Sequence, residues 1–164
     1  MDGLCGNCAA MLANFNGAID FSEPVLNIPH EPGVYAIRAI RQGTEIPHIL
    51  QACIPRLGLL EETWPMIWEY LDQYTGCLEL ADTQHILYIG KAGGPGGANT
   101  LLKRYRQFKS GHVALAPFCT LASFGWAFRF HWKTCEGNQT MEIEDALLQN
   151  FEHLHERKPA FNRR

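Results

Sequence analysis

The segment Leu87-Tyr88-Ile89-Gly90-Lys91-Ala92 is an apolar strand end that runs into the glycine-rich loop Gly93-Gly94-Pro95-Gly96-Gly97. A strand holds its side chains in place while the loop after it leaves them accessible, so binding and catalytic groups concentrate at such positions. Tyr88 and Lys91 are therefore the first residues to consider as parts of a functional site. The loop does not match the phosphate-binding pattern GxxxxGK[ST], and we interpret it as a flexible insertion.

Three strands are predicted around this segment. Residues 85–90 form one strand, and residues 33–40, rich in β-branched and apolar residues after Pro32, form another. Residues 124–133 alternate aromatic with basic side chains, a pattern typical of a strand with one buried and one exposed face. Each strand carries polar side chains among apolar ones, so the sheet that they form can present a site.

Helices are predicted between and after these strands. One runs from Asn99 or Thr100 to about residue 109, and another covers about residues 140–156. Residues 41–84, between the first two strands, are acidic and helical in pattern, with a helix over about 63–74 that Thr63 caps. The order of elements predicts a three-stranded sheet with helices against it and a helical insertion at about 41–84.

The N-terminal residues 1–32 are predicted to form an arm on the main domain, residues 33–164. A short helix fits residues 8–15, and the three prolines of residues 21–32 predict an extended segment. Cys5-Gly6-Asn7-Cys8 is a CxxC motif, and a zinc site would need two further ligands, such as His30 or another cysteine. Six cysteines in 164 residues are too few for a disulfide-stapled domain, so reduced thiols are the interpretation that we favour.

Charge is divided unevenly along the chain. Residues 1–84 hold three basic and eleven acidic residues, whereas residues 85–164 hold eleven basic and six acidic residues. This asymmetry indicates that the C-terminal half faces a polyanion, although uneven surface charge is the alternative. No apolar run approaches the roughly 18 residues of a membrane span, and no basic residue precedes Arg38, so we expect a cytoplasmic protein with no membrane partner.

Two charged residues lie close to apolar helix faces. Arg104 falls between Leu101 and Phe108 on the basic helix, and an arginine so placed usually has an anionic partner. Glu144 shares its helix face with three apolar residues, Leu147, Leu148 and Phe151, and a carboxylate there needs a cation or a metal. A structural ion pair between Arg104 and Glu144 is one explanation, and a bound phosphate and metal are the other.

Five motifs together resemble a known family. They are, in order, Gly33-Val34-Tyr35, Tyr88-Ile89-Gly90-Lys91, Lys103-Arg104-Tyr105-Arg106, Glu144-x-x-Leu147-Leu148-x-x-Phe151 and Pro159-Ala160-Phe161-Asn162. This arrangement resembles the GIY-YIG nuclease superfamily, both its excision-repair and its restriction members. The resemblance implies a small α+β fold with a central three-stranded antiparallel sheet flanked by helices. It also implies cleavage of DNA phosphodiester bonds with one divalent cation, Mg²⁺ or Mn²⁺.

The resemblance assigns roles by position. Tyr35 would activate the attacking water, Tyr88 would help to order it, and Lys91 would lower the phenol's pKa or contact phosphate. Arg104 would stabilise the phosphorane, Glu144 would be the protein ligand of the metal, and Asn162 would anchor the rim of the site. Because the unperturbed pKa of tyrosine is near 10, a neighbouring cation or the metal must assist it as a base. The exposed basic residues of the same helix would bind DNA: Lys103, Arg106 and Lys109.

Three departures from the family pattern bear on function. Residues 41–84 separate the two tyrosines more widely than in compact members. A histidine common one turn after the arginine is Phe108 here, and His112 is the candidate to substitute for it as a proton acceptor. A gapless alignment back from Asn162 places the catalytic acid at Asn150 instead of Glu144, which would make the protein inactive. We favour Glu144 because its motif preserves the helix face.

The sequence therefore predicts a divalent-metal-dependent DNA endonuclease. The alternatives are a non-catalytic DNA-binding or protein-docking module on the same fold, and a zinc-stabilised interaction domain built on Cys5 and Cys8. Specificity would come from the insertion, the N-terminal arm, a homodimer or a partner protein.

Overall fold

A computed structural model describes residues 4–25, 27–49, 51–52, 76, 84–94, 99–110 and 116–162. The helix predicted at 63–74 and most of the predicted insertion lie outside these residues, although residues 46–49 are helical. In the described part of the chain, no helix is long and apolar enough to cross a membrane.

The fold is α+β, with one antiparallel sheet and helices on both of its faces. Its elements are α1 (Gly6–Leu12), β1 (Gly17–Asp20), β2 (Gly33–Arg41), β3 (Ile86–Ala92), α2 (Leu101–Ser110), α3 (Ala116–Ser123), β4 (Ala127–Thr134) and α4 (Thr140–His155). The strand order is β1-β4-β2-β3, and every neighbouring pair is antiparallel. The α+β class is as predicted, but the expected three-stranded sheet is wrong, because the described sheet has four strands.

The additional strand comes from the predicted N-terminal arm. β1 pairs with the outer edge of β4, where Ala18 lies opposite His131 and Asp20 opposite Arg129. The Arg129 guanidinium donates hydrogen bonds to the Asp20 carboxylate, and this interaction lowers the pKa of Asp20. A four-residue strand has too little periodicity to be recognised in the sequence, yet it covers an edge that would otherwise expose unpaired backbone groups.

β4 confirms the predicted alternation but begins later than expected. Phe128, Phe130 and Trp132 are buried, and the residues between them are partly exposed. Residues 124–126, predicted as strand, instead follow α3 in a turn where Gly125 has a φ of 88°, a conformation that glycine adopts readily. The Trp126 indole Nε1 donates to the carbonyl of Thr44 at 2.9 Å, so this residue is buried without belonging to the strand.

The sheet separates two apolar clusters. On one face, residues of α2 and α3 pack against Tyr35, Ile37 and Phe130. On the other face, Phe151 of α4 lies against residues of the sheet and of α1, namely Ala36, Ile86, Ile89, Cys8 and Met11. β2 is buried over most of its length because it lies inside the sheet with elements on both faces.

Phe151 is the residue by which α4 is expected to hold the second cluster. It is fully buried, so Phe151→Ala should lower the free energy of unfolding by about 3–5 kcal/mol through lost burial and a cavity. Met141→Ala on the same helix is the matched control, because Met141 is 56% exposed. Its change should stay within about 0.5 kcal/mol in urea denaturation. Equal effects of the two substitutions would contradict this assignment of the core.

Candidate active site

Two tyrosines meet on one face of the sheet. Antiparallel pairing places Tyr35 of β2 opposite Gly90 of β3, and the rings of Tyr35 and Tyr88 stack with centroids 6.0 Å apart. A Cβ atom on Gly90 would lie 2.7 Å from both rings. The glycine of the YIG motif therefore leaves the space in which the two phenols approach each other.

The two phenols differ in exposure and in acidity. Tyr35 is 3% exposed, whereas Tyr88 is partly exposed. Burial raises the pKa of both tyrosines, and the hydrogen bond between them raises the pKa of Tyr35 further while it lowers that of Tyr88. The positive charge of Arg104 lowers both pKa values, but desolvation outweighs it. Neighbouring cations thus lower the pKa of the phenols, as the sequence predicted, but both pKa values stay above that of an ordinary tyrosine.

Arg104 brings a cation to these phenols from α2. Its Nη1 donates to Oε1 of Gln107 at 3.0 Å, while its Nε is buried and has no hydrogen-bond partner among the residues that the structure describes. A buried donor without a partner costs about 1–3 kcal/mol. The guanidinium is therefore suited to an anion that enters the site, such as a phosphate.

Glu144 reaches the site from α4 and pairs with Lys91. The Lys91 Nζ lies 2.7 Å from Oε2 of Glu144, and the two side chains are only 28% and 16% exposed. Because side chains alternate along β3, Lys91 lies on the face of the sheet opposite Tyr88. The charge of its partner Glu144 still acts across the strand and raises the pKa of both tyrosines. The site therefore lies at the edge strand β3, where groups from both faces of the sheet come close.

The structure bears on two alternatives raised for Glu144. Its ion pair is with Lys91 and not with Arg104. Asn150, the other position considered for the catalytic acid, is exposed and lines a groove of about 490 Å³ beside Glu142 and Leu147. Of the two residues, it is Glu144 that pairs with Lys91 and whose charge acts on both tyrosines.

Asn162 holds the edge of β3. Its amide Nδ2 donates to the carbonyl of Ile89 at 2.6 Å, and its Oδ1 accepts from the Ile89 amide at 2.8 Å. The Phe161 amide also donates to the carbonyl of Leu87 at 2.9 Å. Asn162 thus completes the backbone hydrogen bonds of the residue next to Tyr88, which makes it a positioning residue.

The predicted DNA-binding residues are not equivalent. Lys103 and Arg106 are exposed on α2. Lys109 is exposed too, but its Nζ donates to the carbonyl of Glu23 at 3.4 Å and lies 5.6 Å from the ring centre of Tyr105. Lys109 therefore helps to attach the N-terminal segment, whereas the exposure of Lys103 and Arg106 is what contact with a phosphate backbone requires.

Phe108 has a packing role. Its ring meets those of Tyr35 and Tyr88 edge-on, with centroids 5.7 and 5.8 Å away. His112, considered as a substitute proton acceptor, lies outside the described residues.

His155 lies beside the Cys5-Gly6-Asn7-Cys8 motif, a position that sequence reasoning missed. Its Nε2 lies 3.3 Å from Sγ of Cys8, and together with Cys5 it forms a group that could hold a metal ion. His30, considered as a ligand from the sequence, is not part of this group. A separation of 147 residues between Cys8 and His155 left no local signal for the contact.

The close packing of both phenol rings against Gly90 predicts that a side chain at this position destabilises the protein. Gly90→Ala should destabilise the protein by about 1–3 kcal/mol, because the added methyl group overpacks the site. Gly137→Ala is the control, since its Cβ would meet Pro32 only at an ordinary contact distance of 3.7 Å. Urea denaturation measures both. A Gly90→Ala protein as stable as the control would show that the phenols are not packed around this glycine.

Comparison of the chain with protein-family models, with curated proteins and with solved structures returned no match to any of them. The interpretation of the site therefore depends on its own residues and geometry.

Proposed function

We propose that this protein is a divalent-metal-dependent DNA endonuclease. The observation that carries the proposal is the stacking of Tyr35 on Tyr88, with ring centroids 6.0 Å apart, beside the strand that also carries the ion pair of Lys91 with Glu144. The charges of Arg104 and Glu144 act on both phenols. Two phenols, two basic side chains and one carboxylate supply a proton acceptor, anion-binding groups and a metal ligand. These are the components that phosphodiester hydrolysis requires.

The carboxylate suits a hard cation. Mg²⁺ binds through oxygen ligands, keeps several waters, and commonly uses one or two carboxylates together with substrate phosphates. Glu144 supplies such an oxygen, and Lys91 holds its carboxylate in place through the 2.7 Å ion pair. Bound there, Mg²⁺ would stabilise the charge that develops on the scissile phosphate.

The burial of the phenols favours Tyr88 as the group that meets the attacking water. Tyr35 is 3% exposed and hydrogen-bonded to Tyr88, so it is better placed to orient the second phenol than to reach solvent itself. Lys91, Arg104 and the Tyr35 hydroxyl all lower the pKa of Tyr88 against the effect of burial. This arrangement reverses the roles that the family resemblance assigns to the two tyrosines.

Arg104 is proposed to stabilise the transition state. Its buried Nε, which has no hydrogen-bond partner in the described part of the chain, can donate to a phosphate oxygen that approaches the phenols. Charge-assisted hydrogen bonds of this kind are about twice as strong as neutral ones, and they are more favourable where water is excluded.

Nicking of supercoiled plasmid with and without added Mg²⁺ tests the proposal. Wild-type protein should nick only with Mg²⁺, and Glu144→Gln should reduce the rate about 100-fold or more. Glu142→Gln on the same helix is the matched control, since Glu142 is exposed, and it should cleave within about twofold of wild type. Omission of Mg²⁺ is preferable to EDTA, which would also strip any metal held by Cys5, Cys8 and His155.

The same assay separates the two phenols. Tyr88→Phe should lose more activity than Tyr35→Phe if Tyr88 meets the water. Equal cleavage by wild type and Glu144→Gln would refute the metal-ligand assignment. Binding of DNA by the wild type without any cleavage would instead support a non-catalytic DNA-binding module.

DNA affinity should depend on α2. Lys103→Ala and Arg106→Ala should each reduce the slope of log affinity against log salt by about 0.9, because each removes one phosphate contact. Arg41→Ala, at the far end of β2 from Tyr35, is the control and should leave the slope unchanged. Fluorescence anisotropy in the Glu144→Gln background measures binding without cleavage. Unchanged slopes for both α2 variants would place the DNA elsewhere on the surface.

A further inference from the structure

A second group of reactive side chains lies away from the tyrosines, where α1 meets the C-terminal end of α4. The ligand atoms of Cys5, Cys8 and His155 all lie within 4.8 Å of one another. Cys8 lies in the first turn of α1 and is 1% exposed. Cys5 and Cys8 are both free cysteines. Two thiols and an imidazole at this spacing form the donor set that zinc prefers.

The distances agree with tetrahedral coordination. With Zn–S near 2.3 Å and Zn–N near 2.0–2.1 Å, the sulfur and nitrogen of two ligands lie about 3.6 Å apart. The Cys8 Sγ and His155 Nε2 are 3.3 Å apart, so small side-chain movements would bring both onto one ion. Three ligands leave a fourth position for water.

Neighbouring groups already orient the ligands. The Cys8 amide donates to Sγ of Cys5 at 3.3 Å, an interaction that stabilises a thiolate when a metal is bound. The ring of His155 packs against Phe151 with centroids 4.3 Å apart, which directs Nε2 toward Cys8.

We propose that Cys5, Cys8 and His155 bind one Zn²⁺, which fastens the N-terminal helix α1 to the end of α4. This site goes beyond the proposed nuclease function and does not depend on it. On binding, the two thiols release their protons to solvent and become thiolate ligands. Because α1 lies just before β1, the ion would hold the N-terminal segment against the second apolar cluster.

Metal content and affinity test the site. Reduced protein, stripped with a chelator and titrated with Zn²⁺ against a chromogenic competitor, should bind one ion per chain. Cys5→Ser and His155→Ala should each weaken binding about 100-fold or more. Both substitutions lie outside the fully buried core, so the variants should fold. Cys135→Ser is the control, because Cys135 is a free cysteine outside the cluster, and it should bind Zn²⁺ like the wild type.

Two further readouts do not involve activity. Co²⁺ should give the charge-transfer absorption of thiolate ligation in the wild type and a weaker band in Cys5→Ser. Removal of Zn²⁺ should lower Tm by about 5 °C or more in the wild type and by much less in His155→Ala. Absence of zinc binding by reduced wild-type protein, or equal affinity of wild type and both ligand variants, would overturn the proposal whether or not the protein cleaves DNA.

Discussion

The antiparallel pairing of β2 with β3 is the constraint on which the site depends. It places Tyr35 opposite Gly90. Because Gly90 has no side chain, the rings of Tyr35 and Tyr88 can both lie close to it. A shift of one residue in this register would turn one tyrosine to the opposite face. Asn162 stabilises β3 at its outer edge, because its side chain forms hydrogen bonds with both the amide and the carbonyl of Ile89.

Desolvation and charge act against each other at the tyrosines. Burial brings the phenols into contact but raises their pKa values, while Arg104 lowers both values. Glu144 raises both pKa values, and Lys91 both neutralises it and lowers the pKa of Tyr88. A cation bound at Glu144 would offset the negative charge of this carboxylate and so lower the pKa of Tyr88. The proposed metal ligand would therefore control the acidity of the proposed base.

The N-terminal segment is part of the fold as much as the motif-bearing strands are. β1 covers the outer edge of β4, α1 contributes Cys8 and Met11 to the apolar cluster under α4, and Lys109 of α2 bonds to the backbone at Glu23. The proposed zinc site would add a further attachment at the same interface. These contacts link the two faces of the sheet through residues that lie outside the five sequence motifs.

Local sequence was sufficient wherever a short-range pattern sets the structure. Alternation predicted β4, helical spacing placed Glu144 beside Leu147 and Leu148, and the β-branched run predicted β2, because each pattern follows from the geometry of a single element. Tertiary structure alone determined the fourth strand, the pairing of Glu144 with Lys91 and the meeting of Cys8 with His155. These contacts join residues far apart in the chain, so no local periodicity encodes them. The acidity of the phenols was also beyond sequence, because it depends on how completely packing removes water from Tyr35.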